Sequence, residues 1–363
     1  MALYEVPDGE FLLAREALDR ALGDDPAEVF VHLGLSSLRR ATWALPAIDA
    51  ALERFGQADF IWSARPVVRS LLEGHFEARR RPKRAPAPAP KGRRVELSLD
   101  DGPADVPSAA DQPDAPSAVG RPGAPSAVGR PGAPSAAGLR GDEEAFVLRV
   151  RPVYRVGDGI HVASRWARGA TNAGLARANE RPALNLPAPA RRQAQALAHA
   201  LAGRWSRPLI AFLPARRSHR RWGAEAMGAF ARMLGERLGA RAFVWPPEPI
   251  EGCLAPSASL PPTTAAALLS LCTLCVGDDD GWAHVAAAVG APTLTVHGPT
   301  CPVRSGPASA LGAALGAPPC RSTEHARPLG RRCLRCLEPA KVVELAEELA
   351  SERRPRDIVA RWR

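Results

Sequence analysis

The sequence predicts an α/β protein built as two parallel-sheet halves with a cleft between them, and three observations carry that expectation. Leu268 to Pro302 reads as an apolar strand ending at Val276, a tight acidic and glycine turn over Gly277 to Gly281, a small-residue helix, and a second apolar strand at Thr293 to Val296. Short apolar runs bounded by turn residues and separated by helical patterns are the mark of parallel βαβ units. The N-terminal stretch repeats that succession, and a long connection of different composition separates the two halves.

In chain order, Phe11 to Leu22 reads as a short amphipathic helix and Ala27 to Leu33 as a strand, followed by a loop over Gly34 to Leu38. Arg39 to Phe55 is helical in pattern, with apolar residues at Trp43, Leu45, Ile48 and Leu52, and with Pro46 kinking or restarting it. Ala58 to Ser63 is a second strand, and Pro66 to Leu72 begins a second helix. The composition then changes. Arg79 to Lys83 is a basic run, Ala85 to Pro90 alternates Ala and Pro, and the repeat APSAVGRPG begins at Ala115, recurs at Ala124 and decays from Ala133. Proline in every copy blocks helix and sheet, and the segment is poor in apolar residues, so 79–144 is expected to be a disordered insertion.

Order returns with a strand at Ala145 to Val153 and a helix at Arg191 to Leu201, while Gly159 to Leu175 stays ambiguous. The second half then runs as strand Leu209 to Leu213, basic loop Arg216 to Arg221, helix Ala224 to Leu238, strand Ala242 to Trp245, the acidic-turn unit, and a final helix from Pro339 to Glu352. The expected division is 1–78 for the first part of an N-terminal lobe, 79–144 for the insertion, 145–205 for the rest of that lobe and the connection, and 206–363 for a C-terminal lobe.

Composition narrows the function classes. The net charge of +10 comes from arginines spread along the chain, with only three lysines, and without the interleaved aromatics of a single-strand platform. No nucleic-acid partner is expected. No segment approaches the ~18 consecutive apolar residues of a membrane span, and Met1 to Gly23 carries acidic residues where a signal peptide needs an apolar centre, so a cytoplasmic location is expected. The seven cysteines read as reduced thiols. Cys272/Cys275 and Cys333/Cys336 lie too far apart in sequence for a zinc ribbon, so no metal is expected, and the first pair reads as buried thiols. Whether Cys320, Cys333 and Cys336 bind anything is left open.

The acidic turn is the candidate site. Asp279, Asp280 and Gly281 lie where a strand ends and a helix begins, which presents acidic caps and backbone N–H groups at the C-terminal edge of a parallel sheet, where ligands of such sheets bind. His284, three residues on, falls on the first turn of that helix. The run PLIAFLPA leading to Arg221-Trp222, the helix MGAFARMLGERLG, the segment SLPPTTAAALLSLCTLCVGDDDGWAHVAAAVGAPTLTVHGPTCP and the tail CLRCLEPAKVVELAEEL together resemble glycosyltransferase family 9, the ADP-heptose:lipopolysaccharide heptosyltransferases. The resemblance covers Pro208 to about Glu348, and its core is the pattern Asp-Ser/Thr-Gly-x-x-His, an Ala-rich helix, Gly-x-Pro, a strand and Gly-Pro-Thr.

That resemblance implies a GT-B fold of two Rossmann-like lobes, a nucleotide-diphosphate sugar of the ADP-heptose type in the C-terminal lobe, and a lipopolysaccharide core-type acceptor on the N-terminal side. It implies no metal and no cofactor, and a possible peripheral contact with the inner membrane. Asp279, Asp280, Gly281 and His284 would line the diphosphate and sugar, Arg221 would meet a donor phosphate, and Glu248 would lie near the ribose. VFVHLGLSSLRRATWALPAIDALERFGQADFIW is similar to the family's N-terminal strand, Ser-rich loop and Leu-Pro-Ala helix, which puts Ser36 and Ser37 in the acceptor-side loop. Two departures stand out. Asp280 occupies a Ser/Thr position, and Arg39-Arg40 replace a Gly-Asp pair whose Asp is the family's proposed general base. Arginine stays protonated and cannot take a proton, so Arg40 leaves the catalytic base unassigned. Asp49, nine residues on, is expected to face away from that position.

Overall fold

Two all-parallel sheets organise the chain. The computed structural model describes residues 16, 19, 28–35, 37–54, 59–62, 64–79, 94–100, 145–150, 161–175, 181–203, 207–216, 220–298, 300–317 and 334–351. The first sheet has strands β1 (Glu28–Gly34), β2 (Asp59–Trp62), β3 (Arg94–Asp100) and β4 (Ala145–Val150) in the order β2-β1-β3-β4. The second has β5 (Leu209–Leu213), β6 (Arg241–Val244), β7 (Leu274–Asp278), β8 (Thr293–His297) and β9 (Gly312–Gly316) in the order β6-β5-β7-β8-β9. In each sheet the strand order reverses once, between β1 and β3 and between β5 and β7, and such a switch point opens a crevice at the strands' carboxyl ends.

Strands β5, β7 and β8 are buried along their whole length. That accounts for their continuous apolar runs, since a parallel strand covered on both faces has no polar side to show. Helices α5 (Ala224–Leu238) and α8 (Pro339–Ser351) cover one face of this sheet, with Phe212, Phe230, Val276, Leu294 and Val343 in a common core. The opposite core joins Phe243 and Cys275 of the second sheet to α6 (Pro262–Ser270), α7 (Gly281–Ala288) and three helices of the first half. These are α1 (Leu38–Arg54), α2 (Pro66–Arg79) and α3 (Val162–Asn172). Helix α4 (Ala188–Ala202) connects the halves and packs on α6. No described helix is long and apolar enough to cross a membrane.

Most elements fall where the hydrophobic pattern puts them, and the differences have physical reasons. Strand β3 lies inside 79–144, so the reading of that segment as an insertion throughout is corrected. Val95, Leu97 and Leu99 alternate with Glu96 and Ser98, a period-2 pattern, and the strand pairs in register with both β1 and β4. Its Pro-rich flanks hid it. The repeat from Ala115 lies outside the described residues, as does most of Phe11 to Leu22, of which Glu16 and Asp19 are helical. The ambiguous Gly159 to Leu175 resolves into α3, and β7 continues past Val276 through Asp278. Pro46 sits within α1 without ending it, because the residues around it are held by burial of Trp43, Leu45 and Ile48.

Helix α1 leaves the switch point of the first sheet and packs against α3 and α7. Its first turn therefore meets the first turn of α7. A Cβ on Gly281 would lie 2.6 Å from Leu38 Cβ and 3.3 Å from the Arg39 backbone nitrogen, so only glycine permits this approach. The contact places residues after β1 beside residues after β7.

Candidate functional site

Three consecutive aspartates end β7, and each carboxylate has a separate task. Asp278 accepts backbone N–H bonds from Ala215 (2.8 Å) and Trp222 (3.0 Å), which pins both ends of the basic loop after β5. Burial pushes its carboxyl up to about 7 against the pull of those two N–H groups. Asp280 caps α7: one oxygen accepts from the Gly281 N–H at 2.5 Å and the other from the Arg216 N–H at 2.8 Å. A carboxylate serves this position as well as a hydroxyl does, so the exchange of Ser/Thr for Asp keeps the cap and adds a tie to the basic loop.

Asp279 turns toward the first half of the molecule. Its Oδ2 accepts from Arg39 Nη1 at 2.9 Å and from Arg220 Nη1 at 3.3 Å, and its Oδ1 lies 3.5 Å from His284 Nε2. Burial alone would raise this carboxyl, but the Arg39 guanidinium, with the His297 and His284 rings, holds it well below the usual carboxylate range. It is therefore a buried anion shared by two cations that come from different sheets.

Around it lies a ring of side chains from both halves. Trp43 of α1 packs edge-on against His284, with ring centroids 5.1 Å apart, and the Arg39 guanidinium sits 5.0 Å above the Trp43 ring. His161 caps α3 by accepting the Ala163 N–H at Nδ1 (3.1 Å), so Nε2 carries the proton and donates to the Gly306 carbonyl (2.9 Å). His297 ends β8, with Thr295 Oγ1 at 2.9 Å and Thr300 Oγ1 at 3.0 Å from its two nitrogens. Burial lowers both imidazoles to about 4, and it also lowers His284 despite the neighbouring Asp279.

These shifts fix a pH dependence. His161 and His297 have folded pKa values below their unfolded ones, so between pH 6.5 and 4 the unfolded chain binds protons that the folded chain refuses, and stability falls on acidification. Asp278 works the other way, because its folded form holds a proton up to about 7 and gains stability as the pH falls. His284 is lowered as well, so three histidines stand against one aspartate and the net effect is a loss of stability as the pH falls below 6.5. Melting temperatures measured from pH 7 to pH 4.5 should decline accordingly, and His161→Gln should remove about one proton's worth of that slope.

The remaining predicted residues lie apart from this ring or play other parts. Arg221 pairs with Glu248, which follows β6, and the two are 31% and 25% exposed. Arg220, its neighbour, is the guanidinium that reaches Asp279. Ser37 Oγ accepts the Arg40 N–H at 3.3 Å, an N-cap for α1, and Ser36 lies outside the described residues. Asp49 does face away: it accepts from His75 Nε2 at 2.8 Å and from Arg79 Nη1 at 2.9 Å, and His75 Nδ1 in turn takes the Asn185 N–H at 2.9 Å.

Cys272 and Cys275 are free and buried, with their thiols on the Leu268 and Leu269 carbonyls. Among the described residues, no three His, Cys, Asp or Glu side chains are placed to hold a metal ion. Sequence reasoning missed Arg39, Trp43, His161, Arg220 and His297 as members of the site. The sequence signals were slight: an arginine beside the one chosen, and a histidine opening the Gly-Pro-Thr stretch.

Comparison with known proteins gives this geometry a context. The family model described as glycosyltransferase family 9 (heptosyltransferase) matches residues 127–327, more than half of the chain. No curated protein matches by sequence. Among solved structures, a glycosyl transferase family 9 protein from Veillonella parvula DSM 2008 superimposes with a TM-score of 0.60 at 13% identity, covering 91% of this chain and 99% of its own. The ADP-heptose lps heptosyltransferase II of E. coli gives 0.55 at 15% identity, covering 89% and 98%. The E. coli heptosyltransferase WaaC, solved with ADP, gives 0.52 at 15%, covering 88% and 99%. The two-sheet α/β architecture is the GT-B fold of these neighbours.

Proposed function

The chain belongs to glycosyltransferase family 9, the heptosyltransferases, and on that premise we propose that it binds a nucleotide-diphosphate sugar at the end of β7 and transfers the sugar, with inversion, to a lipopolysaccharide-type acceptor. The observation that carries this reading is the Asp279 cluster at the switch point of the second sheet: a buried carboxylate, the Arg220 guanidinium and His284, all inside the segment that matches the family, joined by the Arg39 guanidinium from the first half of the chain. Guanidiniums beside helix and strand termini suit the oxygens of a diphosphate. The E. coli neighbours, one named for ADP-heptose and one solved with ADP, support an adenosine diphosphate donor of that kind. In the reaction so proposed, the acceptor hydroxyl attacks the anomeric carbon, the bond from that carbon to the diphosphate breaks, the nucleoside diphosphate leaves with the bonding electrons, and the hydroxyl proton is released to solvent. An acceptor of that kind would be met at the cytoplasmic face of the inner membrane, and we propose that the reaction takes place there.

A specific observation favours a second reading, binding without turnover. By the sequence resemblance Arg40 takes the place of the family's base, and Asp49, the next carboxylate along α1, is committed to His75 and Arg79. A thermal-shift screen tests what both readings share. A ligand held by the folded protein at a hundred times its dissociation constant adds about 2.7 kcal/mol of stability. ADP and ADP-sugars should therefore raise the melting temperature, and the absence of a shift with every nucleoside diphosphate and nucleotide sugar at millimolar concentration contradicts the donor site.

A further inference from the structure

We propose that Arg39 is a diphosphate ligand that this chain adds from its first sheet, forming with Arg220 a two-guanidinium clamp that Asp279 holds in position. The proposal rests on the donor-site reading above and extends it to a residue outside the family's pattern, where this position is a glycine. The two arginines arrive from opposite halves of the chain, Arg39 after β1 and Arg220 after β5, yet both reach the same carboxylate oxygen, at 2.9 and 3.3 Å. A guanidinium has five N–H donors pointing in several directions, so it can serve a carboxylate and a phosphoryl oxygen together.

Helix stability does not explain the placement of Arg39. It lies in the first turn of α1, where the macrodipole favours anions and disfavours a cation. The Trp43 ring lies beneath it, 5.0 Å away, a cation–π contact that limits where the guanidinium can go. Alongside stands a polar atom that the protein itself leaves unsatisfied, His284 Nδ1 in a residue 2% exposed, while His284 Nε2 and Asp279 Oδ1 meet only loosely at 3.5 Å. Unpaired buried groups of this kind are costly, and a ligand carrying hydroxyls and phosphoryl oxygens satisfies them. Asp279 acts here as a positioning residue, while Arg39 and Arg220 touch the ligand.

Calorimetric titration of the full chain with ADP and with inorganic pyrophosphate tests the clamp, using the natural protein, Arg39→Gly and Arg39→Lys, with circular dichroism to check folding. The natural protein should bind both ligands. Arg39→Gly should weaken each by at least tenfold, and Arg39→Lys, which keeps the charge but loses the fork, by about threefold. Should Arg39→Gly not fold, Arg39→Lys decides, and unchanged affinity for both ligands overturns the proposal. Equal ADP binding by folded Arg39→Gly overturns the clamp and leaves the donor site standing. Arg39-dependent binding of pyrophosphate without binding of ADP overturns the adenosine diphosphate reading and leaves the clamp. Binding of neither ligand by the natural protein overturns both.

Discussion

Replacing Asp279 by asparagine is expected to lower the melting temperature by roughly 5 °C and to remove any stabilisation by nucleotide. The carboxylate is 2% exposed and lies between guanidiniums that are 13% and 9% exposed. Removing one partner of a buried ionic group leaves the others uncompensated, at about 3–5 kcal/mol, and each kcal/mol moves the transition of a chain this size by roughly 1–2 °C. The sign and size separate this site from an ordinary ion pair. Glu248→Gln breaks the pair with Arg221, whose members are 31% and 25% exposed, and exposed pairs contribute under about 1 kcal/mol. A thermal melt of the two variants beside the natural protein measures the difference. Similar small shifts in both would show that Asp279 does not hold the junction between the halves.

Placing a carboxylate at position 40 is expected to raise turnover about a hundredfold or more, the usual contribution of a positioned general base. Arg40→Asp should not disturb folding. The Arg40 backbone N–H is held by the Ser37 cap, and an acidic side chain in the first turn of α1 agrees with the macrodipole that the natural arginine opposes. The readout is ADP released from ADP-heptose in the presence of a heptose-free acceptor. If the natural chain already turns over as fast as the variant, another group takes the acceptor proton and position 40 is not the base position.

How much of this was legible in the sequence can be followed residue by residue. Strands β5, β7 and β8 were plain because burial on both faces forces unbroken apolar runs. Strand β3 was not, since its five alternating residues stand between Pro-rich and basic stretches that dominate any window wide enough to notice them. Asp280 as a helix cap followed from local chemistry, as did the turning of Asp49 away from position 40 from the helical repeat.

The cluster around Asp279 was legible only in part. Its own elements could be read from the strand–turn–helix pattern, but its partners come from far along the chain. Arg39 is 240 residues away, and only the packing of α1 on Gly281 brings it near. The choice between Arg220 and Arg221 depended on which of two adjacent side chains the loop turns inward. That is set by the two backbone bonds to Asp278, a tertiary constraint that no local pattern records.

The most direct test of a donor site at the end of β7 is a crystal structure of the protein grown with ADP. The account predicts a diphosphate at the carboxyl ends of β5 and β7, with its oxygens at about 3 Å hydrogen-bond distance from the Arg39 and Arg220 guanidiniums and the Asp279 carboxylate behind them. ADP bound elsewhere on the protein, or absent from this position at millimolar concentration, would contradict it.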